Sequence, residues 1–357
     1  MNFLRLLLLP VAMFYGIVIF FRNLFYDIGI LPTKEFEKGI IAIGNLSAGG
    51  TGKSPMTEYL IRLLKNDFSI ATLSRGYKRH TKGFLIADAD STSFQIGDEP
   101  LQFKKKFPDT IISVDENRRR GIKKLLSLFP NTETILLDDA FQHRRVKAGL
   151  SILLSDYEKM YYDDFLLPAG TLREFHTGKK RADIIIVTKC PENISPVEKR
   201  IILKKIYPEP HQHVFFSHIK YAKPVSVFSE GTLSFDKNIS ALLLTGISNP
   251  KPLEAHLEKK VGTIIPNHYP DHHEYTIVEV NSLVEKFNSI SSQNKVIITT
   301  EKDAMRLDKP GLVEILNKLP VYYIPIEITF DEKEKEEFNK IITDYVTRTN
   351  KKYSGVH

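Results

Sequence analysis

Apolar positions change their pattern twice along the chain. From Leu6 to Phe21, sixteen residues run without a charge (LLLLPVAMFYGIVIFF). As a helix at ~1.5 Å per residue this run is ~24 Å long, short of a ~30 Å hydrocarbon core. Phe3, Leu4, Leu24 and Phe25 extend its apolar face, and Arg5 and Arg22 stand where they can snorkel at its ends. No small-x-small cleavage site follows, because the next residues are Arg22-Asn23-Leu24-Phe25-Tyr26. Residues 1–26 are therefore expected to form a membrane-associated helix. A buried core helix and a cleaved signal are the alternatives.

After Asp27 short β-branched runs alternate with stretches of helical spacing. The runs are Gly39–Gly44, Phe68–Leu73, Thr110–Val114, Thr134–Leu137, Leu150–Leu154 and Asp183–Thr188. Met56–Leu64 and Gly121–Leu128 carry the helical spacing. Near-continuous apolar strands between helices predict a parallel sheet covered on both faces. A second series follows: Ala241–Leu244, Val261–Ile265, Lys295–Thr300 and Val321–Ile326. Lys204–Pro224, with its prolines and histidines, reads as the junction. The expected organisation is a larger domain over 27–220 and a smaller α/β subdomain over 221–357, ending in a helix at Asp331–Thr347. The charge run DEKEKEE in that helix reads as a solvated face.

Composition narrows the class. The chain has 357 residues, 42% hydrophobic and 26% charged, the balance of a folded globular protein. With Cys190 as the one cysteine, there is no intrachain disulfide and no cysteine-based zinc site. The net charge of +7 suits phosphates or an acidic leaflet and is too small to argue for nucleic acid.

The chemistry concentrates after the first strand, in Gly44-Asn45-Leu46-Ser47-Ala48-Gly49-Gly50-Thr51-Gly52-Lys53-Ser54. This is close to G-x-x-x-x-G-K-[ST], with Ser47 at the first glycine position. Glycines let successive N–H groups turn inward around phosphate oxygens, and the following helix presents its positive end to them. In such loops the lysine bridges the β- and γ-phosphates and the hydroxyl ligates Mg²⁺, which assigns those tasks to Lys53 and Ser54. Ser47, Ala48, Gly49, Gly50, Thr51 and Gly52 complete the cradle. A second strand, Thr134–Leu137, ends in Asp138-Asp139, a carboxylate pair placed to hold Mg²⁺.

Eight blocks then occur in order: GNLSAGGTGKSP, SRGY (Ser74–Tyr77), GDEP (Gly97–Pro100), LDDAFQHR (Leu137–Arg144), LPAGTLRE (Leu167–Glu174), TGI-x-NP (Thr245–Pro250), DHH (Asp271–His273) and TTEKDAMRL (Thr299–Leu307). Together they resemble the tetraacyldisaccharide 4′-kinase family over nearly the whole chain. Ala140 and Thr171 depart from it, standing where the family usually has glycine and proline; Ala140 is expected to alter the turn after the aspartates. The resemblance implies a phosphate-loop NTPase-type sheet and transfer of a phosphoryl group from ATP to the 4′-hydroxyl of a lipid disaccharide 1-phosphate. The site would lie between two subdomains at the cytoplasmic face of the inner membrane, with no protein partner required. It also implies a base, Asp98, paired with His272, and places the Mg²⁺ and phosphate groups on Lys53, Ser54, Asp138, Asp139, Gln142 and Glu174. The same resemblance gives Arg173 and one of Arg118, Arg119 and Arg120, with Arg118 taken first, to the substrate, and Glu99 and His143 are further substrate candidates.

Physical reasoning bears on these roles. Pro100 starts a helix, which leaves Asp98 and Glu99 in the entering loop near its positive end. Arg173, Lys179, Lys180, Arg181 and Arg118-Arg119-Arg120 supply cations for a substrate phosphate. Three other readings stand beside the lipid kinase, one of them a small-metabolite kinase whose apolar anchor is incidental. Val187-Thr188-Lys189-Cys190 distantly resembles a guanine-reading N-K-x-D, which would suit a membrane-associated regulatory NTPase. The D-H-H at Asp271–His273 alone would suit a phosphoesterase metal site.

Overall fold

The computed structural model describes residues 7–354; the expected roles of Phe3, Leu4 and Arg5 lie outside the described residues. Strands β1 (Gly39–Asn45), β2 (Ile70–Ser74), β3 (Leu85–Ile86), β4 (Ile111–Val114), β5 (Thr134–Leu137), β6 (Leu150–Asp156), β7 (Ile184–Thr188) and β8 (His213–Tyr221) build one sheet. A second sheet holds β9 (Val225–Ser226), β10 (Ser240–Thr245), β11 (Thr263–His268), β12 (Lys295–Thr300) and β13 (Val321–Ile324). The chain then returns through β14 (Ile326–Phe330) to pair antiparallel with β8. The orders are β14-β8-β7-β6-β1-β5-β2-β4-β3 and β11-β10-β12-β13-β9.

Both sheets are parallel except at their edges. In the larger sheet β1, β2, β5 and β7 are buried at every residue, as strands covered on both faces must be. β1 lies at the centre, with β5, β2 and β4 on one side and β6, β7 and β8 on the other. The strand order reverses there, so a crevice opens at the carboxyl ends of β1 and its neighbours.

Three expectations are corrected. Lys204–Pro224 is not a bare junction, because it contains β8. The HVFFSHIKY pattern there is broken by His218 and Lys220 and masked by flanking prolines, which hides the strand. The C-terminal strand and helix belong to the larger domain, not to the smaller one. Phe338, Ile342 and Val346 of the helix Glu332–Ser354 enter the core under β1 and β8, and Glu334 accepts the Phe216 N–H at 2.8 Å rather than facing only solvent. The acidic pair Asp98-Glu99 does not sit in a loop but forms the first helical residues of Asp98–Lys106. Gly97 makes that start. Its φ is +91°, and a Cβ there would stand 2.9 Å from the Tyr77 carbonyl oxygen.

Helix α1 (Leu9–Asp27, ~28 Å at 1.5 Å per residue) lies against the larger domain along one stripe. Its mean hydropathy is 1.5, yet only Ala12 and Gly16 are buried. Met13, Phe14, Ile17, Val18, Phe20 and Phe21 are exposed, so this is not a core helix. Arg22, towards the C-terminal end of the helix, donates from Nη2 to the Gln142 carbonyl at 2.7 Å.

Candidate active site

The phosphate loop leaves β1 and enters helix α2 (Lys53–Leu64) through Gly52, whose φ of +87° turns the chain into the first helical residue. Two segments clamp it. The Ala48 N–H donates to the Thr171 carbonyl and the Arg173 N–H to the Leu46 carbonyl, each at 2.7 Å. Asn45 Nδ2 donates to Thr51 Oγ1 at 2.8 Å, and Thr188 Oγ1 donates to the Thr51 carbonyl at 2.9 Å. Thr188 thus supports the loop instead of reading a guanine, and Lys189 pairs with Asp156. Gly49 and Gly50 remain exposed at the tip. Lys53 Nζ folds back to 3.4 Å from the Gly49 carbonyl and 3.8 Å from Asp139.

Asp138 and Asp139 end β5 and serve different neighbours. Asp138 is buried and accepts only long hydrogen bonds, from Thr57 Oγ1 at 3.3 Å and Ser74 Oγ at 3.4 Å. Burial, then Glu99 and Asp139, push its carboxyl up towards 7 against the pull of Lys53 and Arg118. An under-compensated buried carboxylate close to the Ser54–Glu99 pair fits a divalent cation. Mg²⁺ keeps several waters and needs few protein ligands beside phosphate oxygens. No group of three or more His, Cys, Asp or Glu suited to a metal occurs among the described residues. Asp139 adopts φ +46°, so the turn bends at an aspartate, a residue tolerant of that region, and Ala140 keeps an ordinary backbone.

Glu99 faces the loop. Ser54 Oγ donates to its Oε1 at 2.6 Å, and Lys302 Nζ reaches the same oxygen at 2.6 Å. Burial opposes ionisation, but Lys302, Ser54 and Lys53 hold the carboxyl well below its usual range.

The four residues assigned to metal meet different protein partners. Glu174 is buried, with Arg181 Nη2 at 2.8 Å from both oxygens, Asn23 Nδ2 at 3.0 Å and Gln142 Nε2 at 3.0 Å. Its oxygens are occupied by these donors, so Glu174 and Gln142 form a hydrogen-bonded group of their own, which Gln142 Nε2 ties to the Asn45 carbonyl at 2.7 Å. Arg173 links the two groups, with Nη1 3.0 Å from Asp139 and 3.4 Å from Gln142 Oε1. Tyr15 of α1 donates to the Arg173 carbonyl at 2.7 Å.

The expected phosphate-binding cations are mostly spoken for. Arg118 is buried beneath the site, donating to the carbonyls of Asp115 (3.1 Å) and Asp138 (2.9 Å); desolvation brings its guanidinium down to about 10. It supports the Asp138 backbone and does not face an open crevice. Arg120 pairs with Asp115 and Glu116, and Lys179 is bound to the carbonyls of Ile206 and Tyr207. Arg75, at the end of β2, is exposed and near enough to act on both Arg118 and His143. His143 lies close by, its imidazole pushed down to about 4 by burial and then by Arg118.

Asp98 and His272 meet across the two domains. His272 (φ +59°) is anchored by its own N–H to the Gly246 carbonyl at 3.0 Å and stacks edge-on against Tyr77. Its Nδ1 lies 3.9 Å from Asp98 Oδ2, beyond hydrogen-bond reach. Arg306 fills the gap, with Nε 2.8 Å from Asp98 Oδ2 and Nη2 3.2 Å from His272 Nδ1. Burial opposes ionisation of Asp98, yet the charge and hydrogen bond of Arg306 help to hold its carboxyl below the ordinary value. Lys302 and Arg306 lie in the block TTEKDAMRL. Their four-residue spacing on one helix was the available signal.

A central parallel sheet, a glycine-rich loop opening a helix, and a carboxylate at the adjacent strand end define a phosphate-loop NTPase-type α/β protein. The comparisons are more specific. Residues 4–347 match the family Tetraacyldisaccharide-1-P 4′-kinase, and the chain belongs to it. The tetraacyldisaccharide 4′-kinase of Bacteroides thetaiotaomicron is 44% identical over 360 residues, covering 97% of this chain and 94% of that protein. That of Flavobacterium psychrophilum is 46% identical over 349 residues, covering 97% and 98%. The crystal structure of Aquifex aeolicus LpxK in complex with ATP superposes with TM-score 0.74 at 28% identity, covering 96% of this chain and 99% of that one. Membership of a kinase family sets aside the regulatory NTPase and the phosphoesterase.

Proposed function

We propose that the chain transfers the γ-phosphoryl group of ATP to the 4′-hydroxyl of an acylated glucosamine disaccharide 1-phosphate, at the cytoplasmic face of the inner membrane. The observation that carries this reading is the convergence of Lys53, Ser54 and Asp138 from the larger domain on a site where Asp98 meets His272 of the smaller one. The activity for which the family and its relatives are named supplies the acceptor.

Phosphoryl transfer asks a protein for positioning and charge compensation more than covalent chemistry. The loop N–H groups and the start of α2 cradle the phosphates, and Lys53 leaves Gly49 and Asp139 to bridge the β- and γ-oxygens. Ser54 and Asp138 would hold Mg²⁺, which when bound would supply charge neutralisation at the phosphate oxygens. Asp98 takes the hydroxyl proton; a weakly basic carboxylate suffices when the transition state is loose. The exposed apolar stripe of α1 sits in the leaflet, and the acyl chains stay there while the headgroup reaches the crevice.

The test is phosphorus NMR on the lipid recovered after incubation with ATP and Mg²⁺. A second phosphomonoester coupled to the 4′ proton supports the assignment. Hydrolysis of ATP with the lipid unchanged contradicts it.

A further inference from the structure

The helix Glu301–Leu307 of the smaller domain starts at a Thr300 cap and presents Lys302 and Arg306 on one face. Each meets one of the two consecutive carboxylates that open the helix Asp98–Lys106. Lys302 takes Glu99 at 2.6 Å and Arg306 takes Asp98 at 2.8 Å. The Arg306 side chain is only 4% exposed and its donors are shared out. Nε goes to Asp98 Oδ2; Nη1 goes to the Gly246 carbonyl at 2.9 Å and Asp303 Oδ1 at 2.8 Å; Nη2 goes to His272 Nδ1 at 3.2 Å. Asp303 is itself tied down by the Gly246 N–H at 3.0 Å and Thr300 Oγ1 at 2.7 Å. The guanidinium is therefore fixed by the same Gly246 turn that anchors the His272 backbone.

Arginine carries donors only, so His272 Nδ1 must accept from it and the proton of the neutral ring must sit on Nε2. Arg306 also occupies the Oδ2 edge of Asp98. We propose that Arg306 is the positioning residue of the catalytic pair: it separates Asp98 from His272, fixes His272 as the Nε2–H tautomer, and leaves Asp98 Oδ1 as the proton acceptor. The inference rests on the kinase reading above and deepens it. In the step it implies, the acceptor O–H bond breaks and its proton passes to Asp98 Oδ1. The acceptor oxygen bonds to the γ-phosphorus as the bond from that phosphorus to the β–γ bridging oxygen breaks. The electron pair of that bond leaves on ADP. His272, its ring proton held on Nε2, takes no proton in this step.

Two measurements test this. The first is nitrogen NMR of the parent protein labelled in histidine, with His272 assigned through a His272→Asn variant. A protonated Nε2 and bare Nδ1 support the proposal; a protonated Nδ1 overturns it, whether or not the protein transfers phosphate. The second compares steady-state turnover on ATP and the lipid acceptor for the parent, Arg306→Gln, Arg306→Lys, Asp98→Asn and the double variant Asp98→Asn/Arg306→Gln. Arg306→Gln lowers kcat at least 100-fold with KM for ATP within threefold of the parent, and Arg306→Lys recovers part of kcat by restoring the charge. The double variant falls no further than Asp98→Asn, because Arg306 acts through Asp98. A kcat within threefold of the parent in Arg306→Gln, or fully additive losses in the double variant, overturns the proposal. Failure of the parent itself to phosphorylate the lipid overturns the kinase reading instead.

Discussion

Ser54 Oγ donates to Glu99 Oε1 at 2.6 Å, and Lys302 reaches the same carboxylate oxygen from the other domain. The Ser54 proton is committed to Glu99, which leaves the oxygen lone pairs free and enriched for a cation. This is the arrangement that orients a metal ligand from behind. Ser54→Ala is predicted to raise the Mg²⁺ concentration for half-maximal turnover about tenfold or more. Glu99→Gln is predicted to raise it less, because the amide still accepts from Ser54. Titration of turnover with Mg²⁺ at saturating ATP reads both; an unchanged Mg²⁺ requirement in Ser54→Ala would remove the hydroxyl from the cation site.

Glu174 gives the opposite expectation. Its carboxylate is clamped by Arg181, Asn23 and Gln142. Glu174→Ala strands those groups and is predicted to cost about 2 kcal/mol of folding stability, discounted from a fully buried pair because Arg181 is partly exposed. Turnover falls as Gln142 and Arg173 loosen, but the Mg²⁺ half-saturation stays within threefold. Denaturant unfolding and the same Mg²⁺ titration check this; a large shift in Mg²⁺ requirement would restore Glu174 to the metal.

The fold's main divisions are legible in the sequence because parallel strands are near-continuous apolar runs bounded by turns. GIIAIG, TILL and DIIIVT needed no context. β8 was hidden because its polar residues interrupt the run, and β14 because returning to the first sheet is a long-range pairing that no local pattern encodes. The phosphate loop and Asp138-Asp139 were readable as chemistry at fixed spacing. Arg306 and Lys302 were not, because their partners lie about 200 positions away and only the docking of two domains brings them together. The paired state of Lys179, Arg118 and Arg181 was invisible for the same reason: a cation's partner is a tertiary fact.

Glu301 supplies a pH prediction. It is buried beside Glu58, sharing Lys106 and Gln102 with it; burial and then Glu58 push its carboxyl up to about 7, against the pull of Lys106. The folded form thus holds this proton more tightly than the unfolded one, so stability declines as pH rises from the usual carboxylate range towards 7. Below that window the group is neutral in both states and contributes no difference. Glu301→Gln is predicted to gain in Tm relative to the parent between pH 5 and pH 8. Thermal unfolding across that range checks the sign; a variant that loses ground as pH rises contradicts it.

Gly16 marks where α1 rests on the protein. A Cβ there would come 2.8 Å from Leu166 Cδ1 and 3.0 Å from Phe175 Cζ. Gly16→Val is predicted to lift that stripe and loosen Tyr15 from Arg173, raising KM for the lipid acceptor several-fold while KM for ATP stays within twofold. Kinetics in mixed micelles, with each substrate varied in turn, separate the two. Equal increases in both would mean that α1 supports the nucleotide cradle and not the lipid approach.

Transfer of labelled phosphate from γ-labelled ATP to the acylated disaccharide, scored in parallel with release of inorganic phosphate, bears most directly on the whole account. The parent is predicted to place the label on lipid in a Mg²⁺-dependent manner. Lys53→Ala and Asp98→Ala are each predicted to lose about 100-fold or more of that transfer. Label appearing only as inorganic phosphate, or full transfer by the Lys53→Ala protein, would contradict it.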